Sequence, residues 1–177
     1  MKSIIKLSLS VFVLAGALYL AAGCKKDGQE GYMSVKLTDA PAEYFAVNVE
    51  IVGLEVYSEI NGWISLPVNS GTYDLLQLQN NVTVLLAPKT EFPAGKITQM
   101  RLVLGTNHSV ITGTGIFPLK TPSGTQSGLK INVNMIILSD KTTEVVLDFD
   151  AAASVVEEGN GSYLLKPVLR IKAVSQY

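Results

Sequence analysis

Acidic side chains are the groups in this sequence whose types and spacing could do chemistry. They fall in loops or at the ends of expected strands, and they are Asp39, Glu43, Asp74, Asp148 and Asp150. Asp148 and Asp150 alternate along one expected strand, which puts them on one face about 7 Å apart at a rise near 3.3 Å per residue. Oxygen ligands at that spacing could hold one calcium ion or flank a sugar.

The same carboxylates have two other interpretations. Aspartates beside turns accept backbone N–H bonds, as Asp39 before Ala40, or Asp74 before Leu75, would do. A pair of carboxylates could also supply the acid and base of a glycoside hydrolase, but the sequence places no second carboxylate opposite the first. The sequence therefore leaves calcium binding undecided. It also leaves undecided whether these carboxylates cap turns, bind a ligand or catalyse hydrolysis.

Other catalytic chemistry has little support in the sequence. The one histidine, His108, lies in an expected loop, and no Gly-x-Ser-x-Gly nucleophile elbow occurs. A zinc site usually draws on several histidine or cysteine ligands, and the chain has one residue of each type. We therefore expect a protein that is not an enzyme.

Aromatic side chains could mark a ligand surface, because flat rings present a large contact area to a sugar or a partner. The single tryptophan, Trp63, follows an Asn-Gly pair, and Tyr57 and Tyr73 lie in or near expected strands. Trp63 at a hairpin tip would be displayed to solvent, whereas Trp63 in a sandwich would be buried in the core. Tyr44 and Phe45 are expected to fill the core.

The elements that must position these groups follow a period of two. Apolar residues occupy alternate positions in residues 47–51, 100–104, 129–137, 145–149 and 165–173, which is typical of half-buried strands. The alternation changes phase at Gly53, which predicts a β-bulge, and Asn61-Gly62 predicts a hairpin turn. Only residues 82–87 and 151–157 could form a helical turn.

Frequent turns between these runs indicate an all-β fold with little helix. We expect about eight strands in one antiparallel β-sandwich, immunoglobulin-like or prealbumin-like, over residues 32–177. A closed barrel is the alternative.

Fourteen Lys and Arg against fifteen Asp and Glu leave a net charge of −1 without a basic stripe, so nucleic acid is not an expected partner.

The N-terminus carries an export signal. Lys2 and Lys6 precede an apolar run, residues 7–22, that is shorter than the roughly 18 residues of a membrane-spanning helix and ends in small residues. The segment Ala21-Ala22-Gly23-Cys24 resembles the lipobox of bacterial lipoproteins, which implies cleavage before Cys24 and acylation of its thiol. Residues 1–23 are then a signal peptide.

A polar run follows the cysteine, so residues 24–31 are predicted to form a lipidated, flexible tether. A lysine followed by acidic residues at this place resembles the signal that sends some lipoproteins to the outer face of the outer membrane. The expected location is therefore the bacterial outer membrane, anchored through acylated Cys24, with exposure at the cell surface as an open question.

Short motifs within the domain carry a family resemblance. They are Ser34-Val35-Lys36-Leu37-Thr38-Asp39-Ala40-Pro41, Asn61-Gly62-Trp63, Tyr73-Asp74-Leu75-Leu76, Pro93-Ala94-Gly95, Leu147-Asp148-Phe149-Asp150 and Tyr163-Leu164-Leu165-Lys166-Pro167-Val168. In this order and spacing they resemble the DUF4382 family, over roughly residues 32–173. The resemblance implies an exported, β-rich domain, often in a lipoprotein, and it implies no reaction.

These observations together predict a lipid-anchored envelope protein whose β-sandwich is a non-enzymatic binding or adhesion module for a glycan or a protein. An alternative is a structural envelope subunit that pairs an exposed edge strand with another chain. A carboxylate-dependent glycoside hydrolase is the third hypothesis.

Overall fold

A computed structural model describes residues 29–122 and 128–177, so the predicted signal peptide, Cys24 and most of the tether lie outside the described residues. In the described part thirteen strands and two short helices follow one another. They are β1 (Glu30–Asp39), β2 (Ala46–Ser58), β3 (Gly62–Leu66), β4 (Gly71–Asp74), a 3₁₀ helix (Leu75–Leu78), β5 (Val84–Pro93), β6 (Gly95–Leu104), β7 (Ser109–Thr112), β8 (Gly115–Lys120), β9 (Leu129–Ile137), β10 (Thr142–Phe149), α1 (Ala151–Ser154), β11 (Val155–Glu157), β12 (Tyr163–Leu165) and β13 (Leu169–Gln176). No helix in these ranges is long and apolar enough to cross a membrane.

Two sheets hold these strands. The smaller sheet has the order β13-β10-β1-β5, and the larger has the order β11-β12-β8-β7-β2-β6-β9. The thirteen-residue strand β2 organises the larger sheet, because it pairs with four strands, β3, β4, β6 and β7. The predicted all-β sandwich is confirmed.

The core lies between the two sheets, where alternate residues of each strand are removed from water. In the smaller sheet β1 and β10 bury Leu37 and Phe149, and in the larger sheet β2 buries Val49 and Ile51. Burial of such apolar area is the main force that holds two sheets face to face. This core fixes the ends of β1 and β10 relative to each other.

The sandwich differs from the expected one in strand direction and number. Each sheet contains one parallel pair, β1 with β10 and β8 with β12, so the sheets are mixed and not purely antiparallel. The additional strands are short, for example β11 and β12 with three residues each. An alternating sequence pattern reports which face is buried but carries no information on direction, and a three-residue strand is too short to show a period.

Local predictions along β2 are confirmed in part. The pairing of β2 with β6 shifts register between Ile51 and Gly53, which is the predicted bulge. The hairpin after β2 is present, with Ser58 paired to Gly62. Of the Asn-Gly pair only the glycine has positive φ, +74°, because the loop has three residues, 59–61, and the left-handed residue is the first residue of β3.

The two helical turns have different outcomes. Residues 151–157 contain α1, as predicted, whereas residues 82–87 run into β5, which begins at Val84.

The prediction that both aromatic residues after Pro41 fill the core is correct for one of them. Tyr44 packs against the core, but Phe45 is 73% exposed, because it precedes β2 in a loop outside the sandwich.

Two glycines with open space around them test the hairpin. Gly62 has φ +74°, Gly71 has no such φ, and no atom lies within 4 Å of the Cβ that either would gain. We expect Gly62→Ala to lower the free energy of unfolding by about 1 kcal/mol because of its left-handed backbone. Gly71→Ala should be neutral or stabilising by a few tenths of a kcal/mol, because it loses chain entropy in the unfolded state. Equal effects in urea unfolding would contradict the hairpin geometry.

Candidate functional site

Three of the predicted acidic residues come together at one end of the sandwich. Because β1 and β10 run parallel, with Thr38 opposite Asp148 and Asp39 opposite Phe149, both strands end at the same place. Asp39 is the last residue of β1, and Asp150 directly follows β10. The antiparallel strand β13 begins at this end as well, which brings Arg170 opposite Asp148.

A cleft of about 410 Å³ opens where these strands end. We call it the Asp39 cleft, and its polar walls are Asp39, Asn80, Asn81, Asp148, Arg170 and Lys172. Ala40, Pro41 and Ile171 complete its lining. Its volume lies within the range of about 300–1,000 Å³ that is usual for small-ligand sites.

Asp148 is a buried carboxylate with one side occupied. Arg170 donates from Nε (2.9 Å) and Nη2 (2.6 Å) to Oδ2 of Asp148, and its Nη1 lies 4.0 Å from Oδ2 of Asp150. Asp148 is 3% exposed, yet its Oδ1 has no hydrogen-bond partner in the described structure. The ion pair thus stabilises the charge of Asp148 and leaves one acceptor free.

Asp39 shows the same incomplete bonding at the end of β1. It is 2% exposed, and its Oδ1 accepts the N–H of Ala151 at 2.8 Å, while Oδ2 has no hydrogen bond in the described structure. Burial raises the pKa of Asp39 to about 6, the N–H of Ala151 and the amide of Gln79 lower it, and the charges of Asp148 and Asp150 raise it further. Asp39 therefore changes charge close to neutral pH.

The loop after the 3₁₀ helix forms the opposite wall. Asn80 and Asn81 both have positive φ, 56° and 67°, a conformation that asparagine tolerates better than most residues. Thr38 Oγ1 lies 2.9 Å from the carbonyl oxygen of Leu78 and 2.8 Å from that of Val82, and it fixes the loop by sharing its single O–H between them. The buried side-chain amide of Gln79 faces the Asp39 carboxyl group and lowers its pKa, although neither Gln79 Nε2 nor Asp39 Oδ2 reaches hydrogen-bond geometry in the described structure.

Four cleft residues were not predicted from the sequence. Asn80 and Asn81 carried a usable signal, since consecutive asparagines before a strand favour a left-handed turn. Arg170 and Lys172 alternate on the outer face of the last strand, and Lys172 Nζ donates to Asn81 Oδ1 at 2.9 Å. That alternation predicts that both side chains point outward, but it does not predict that Asp148 lies opposite Arg170.

The other predicted aspartates also accept backbone N–H bonds. Asp74 accepts from Leu76 at 3.2 Å and from Val47 at 3.3 Å, so it caps the 3₁₀ helix. Asp150 accepts from Ala153 at 2.9 Å and caps α1. Asp74 does not line the Asp39 cleft, whereas Asp150 approaches it through Arg170.

Glu43 and Trp63 lie elsewhere. Glu43 is exposed beside a second cleft of about 360 Å³, lined also by Phe45 and Tyr163. Trp63 is half-buried outside the core, with the Arg101 guanidinium 4.1 Å from its ring centroid and the Tyr57 ring edge-on at 5.3 Å. Because Arg101 covers one ring face, Trp63 offers less stacking surface than a free hairpin tip would.

His108 lies in the expected loop, where backbone groups hold its ring in place. It is 5% exposed, its Nδ1 accepts the N–H of Glu50 at 3.1 Å, and its Nε2 lies 3.1 Å from the carbonyl of Gly105. Burial lowers the pKa of the imidazole. Both ring nitrogens are occupied, although a polar cleft of about 660 Å³ lies beside the ring.

Across residues 29–122 and 128–177, no group of three or more His, Cys, Asp or Glu side chains is arranged to hold a metal ion. Two of the three aspartates near the Asp39 cleft also face the guanidinium of Arg170.

Comparison with known proteins gives one match. The sequence model of the family described as "Domain of unknown function (DUF4382)" matches residues 30–167. The match includes β1 and β10 and ends before β13, which supplies Arg170 and Lys172. Neither the curated proteins nor the solved structures gave a match.

The ion pair in the cleft leads to a stability prediction. Arg170→Met keeps much of the side-chain stem but leaves Asp148 buried without its cation, so we expect the free energy of unfolding to fall measurably. The loss should be smaller than for a fully buried pair, because the Arg170 side chain is 58% exposed. Lys172→Met, which removes an exposed contact to Asn81, should change it by less than about 0.5 kcal/mol. Urea unfolding at pH 7 measures both, and equal losses would contradict the pairing.

Proposed function

The chain belongs to the DUF4382 family. We propose that it is a lipid-anchored protein of the bacterial envelope whose β-sandwich binds a ligand in the Asp39 cleft. The proposed activity is binding or adhesion, without catalysis. The ligand comes from outside the domain, as a glycan or as part of a partner protein.

The observation that carries this proposal is the pair of buried carboxylates with a free oxygen each, Asp39 Oδ2 and Asp148 Oδ1. A buried polar atom without a hydrogen bond costs about 1–3 kcal/mol, and more when it is charged. Folded proteins therefore satisfy nearly all such atoms. Both residues line one cleft that opens to solvent. The two oxygens themselves are buried, so a ligand in the cleft supplies the missing donors when these side chains turn toward it.

The direction of β1 supports a role at a membrane surface. β1 has ten residues, which span about 30 Å at the usual rise per residue. It begins at Glu30, six positions after Cys24, and ends at Asp39 in the cleft. A lipid on Cys24 would hold the first end near the membrane, so that the cleft faces away from it. Two or more acyl chains suffice for stable anchoring.

The bonding of the carboxylates favours binding over hydrolysis. A glycoside hydrolase needs a protonated acid and a second carboxylate that acts as a base or nucleophile. Asp39 has the raised pKa of an acid, but Asp148 is held by two bonds from Arg170 and Asp150 by its cap on α1. Such fixed carboxylates are suited to hold a ligand in one orientation.

The edge strand β13 favours a second candidate function. In the described structure β13 pairs with β10 alone, and most of its residues are exposed, including Val174. The opposite edge of this sheet, β5, is partly covered, since Asn69 bonds to the carbonyls of Leu85 and Leu86. A strand from an envelope partner could therefore extend the sheet at β13, although Arg170 and Lys172 protect this edge from nonspecific pairing.

The anchor is tested by Cys24→Ala. We expect the variant to lose incorporation of labelled fatty acid and to leave the membrane fraction, because it lacks the thiol that would carry the acyl chains. Fractionation of cells that produce each form, with an unrelated lipoprotein as a control for membrane recovery, measures the effect. Retention of the variant in the membrane with unchanged labelling would contradict the anchor.

The binding function is tested with the purified full-length protein in a neutral detergent. Soluble glycan and protein fractions of bacterial envelopes are added, and the side-chain amide signals of Asn80 and Asn81 are followed by NMR. We expect a saturable shift with one fraction, and at least a fivefold weaker response in Asp39→Asn and Asp148→Asn, since each loses a charged acceptor.

The matched control is Asp140→Asn. Asp140 lies at the opposite end of β1, where its N–H bonds to the carbonyl of Glu30 at 2.9 Å, and asparagine tolerates its φ of 58°. This control should respond as the wild type does. A wild-type protein whose cleft signals respond to no fraction would contradict the binding function.

A further inference from the structure

We propose that the end of the sandwich at which β1 begins rests directly on the membrane, with exposed apolar side chains buried among the lipid headgroups. This inference rests on the proposed lipid anchor and adds a second contact, between the folded domain and the lipid surface. It concerns the end of β1 opposite to the Asp39 cleft.

Two connections between strands lie beside the start of β1. Ala94, between β5 and β6, donates its N–H to the carbonyl of Gln29 at 2.8 Å. Asp140, between β9 and β10, donates its N–H to the carbonyl of Glu30 at 2.9 Å. Both connections therefore surround the point at which β1 enters the sandwich.

Two further segments reach the same end. The hairpin between β2 and β3 does so, because Ile60 Cδ1 lies 3.4 Å from the place that a Cβ on Gly95 would take. The segment after β13 does so as well, because Tyr177 and Thr142 exchange backbone hydrogen bonds of 2.9 and 3.1 Å. The end of the sandwich is thus formed by four segments around the start of β1.

Large apolar side chains are exposed on these segments. The exposed fraction is 75% for Ile60, 58% for Ile136, 46% for Leu138 and 66% for Tyr177. Ile136 and Leu138 flank Ile137, which pairs with Gly95 beside the hairpin tip. We call these four exposed side chains the apolar rim. A single exposed apolar residue is ordinary, whereas several at one end of a domain indicate an interaction surface.

The short chain between Cys24 and the domain identifies the lipid surface as the partner. Cys24 precedes Gln29 by five residues. A chain spans at most about 3.6 Å per residue, so these two Cα atoms are separated by no more than roughly 18 Å. Acyl chains on Cys24 enter the bilayer, and the apolar rim is therefore held close to its surface. Apolar side chains at that place are stabilised by burial at the boundary of headgroups and acyl chains.

The charges around the apolar rim do not favour anionic lipids. Lys96 is paired with Glu59 at 2.7 Å, and exposed Lys141 is outnumbered by exposed Glu30 and Asp140. The contact therefore depends on apolar burial and should be insensitive to salt. Because few side chains take part, they orient the domain on the membrane while the lipid remains the anchor.

The test places an environment-sensitive fluorophore on the apolar rim of the lipidated protein, purified from membranes. Cys24 is the only cysteine, and its acylated thiol cannot react, so Ile60→Cys and Leu138→Cys each supply one free thiol. Phe45→Cys is the matched control, because Phe45 is 73% exposed and precedes β2, whereas Ile60 follows it. Each labelled protein is reconstituted in phosphatidylcholine vesicles, with and without nitroxide-labelled acyl chains.

We expect blue-shifted emission at both rim positions, and quenching by the nitroxide at least about threefold stronger than at position 45. High salt should leave both signals unchanged. Emission that is blue-shifted without quenching would mean that a second protein molecule covers the apolar rim, and the inference would be wrong.

The remaining outcomes separate this contact from the proposals beneath it. If the rim probes emit as the probe at position 45 does, the contact is wrong and the anchor stands. If the unsubstituted protein takes up the label at Cys24, its thiol is free, and the anchor and the contact both fail. Ligand binding in the Asp39 cleft enters none of these measurements and is decided by its own test.

Discussion

The parallel pairing of β1 with β10 is the constraint on which the rest of the structure depends. Eight residue pairs, from Tyr32 with Thr142 to Asp39 with Phe149, hold the two strands in one direction. The buried residues of both strands belong to the hydrophobic core that also contains the buried residues of β2. Parallel strands end together, so Asp39 and Asp148 lie near one end of the sandwich, opposite the end at which β1 begins. If the pairing were antiparallel, Asp39 and Asp148 would lie at opposite ends and the cleft would not exist.

Burial of Asp39 at this junction opposes folding at neutral pH. Its pKa is about 6 in the folded protein against an ordinary value of 3.8, so the folded state binds the proton more tightly. The stability that this group contributes is fully present below about pH 4, is lost as the pH rises toward 6, and does not return above it. The difference is on the order of 3 kcal/mol. The charge of Asp39 therefore does not serve the stability of the sandwich, and such locally unfavourable groups are typical of functional sites.

Much of the fold could be predicted from the sequence, and less of the site. Alternating apolar residues locate the long strands, and Gly53 and Gly62 mark the bulge and the hairpin, because these signals are local. The parallel pair is not local, since Asp39 and Asp148 are more than a hundred residues apart and strand direction leaves no trace in the alternation. Arg170 was missed for the same reason: its partner across the strands is not visible in the sequence. Phe45 was placed wrongly because an apolar residue in a loop carries no periodic signal.

A carboxyl-carbon NMR titration of Asp39 in the full-length protein tests the account most directly, because the raised pKa, the burial and the free oxygen all belong to that side chain. The account predicts a midpoint near pH 6 for this carboxyl group. A midpoint close to 3.8, the ordinary value for aspartate, would show a hydrated carboxylate and would contradict both the buried junction and the ligand site built on it.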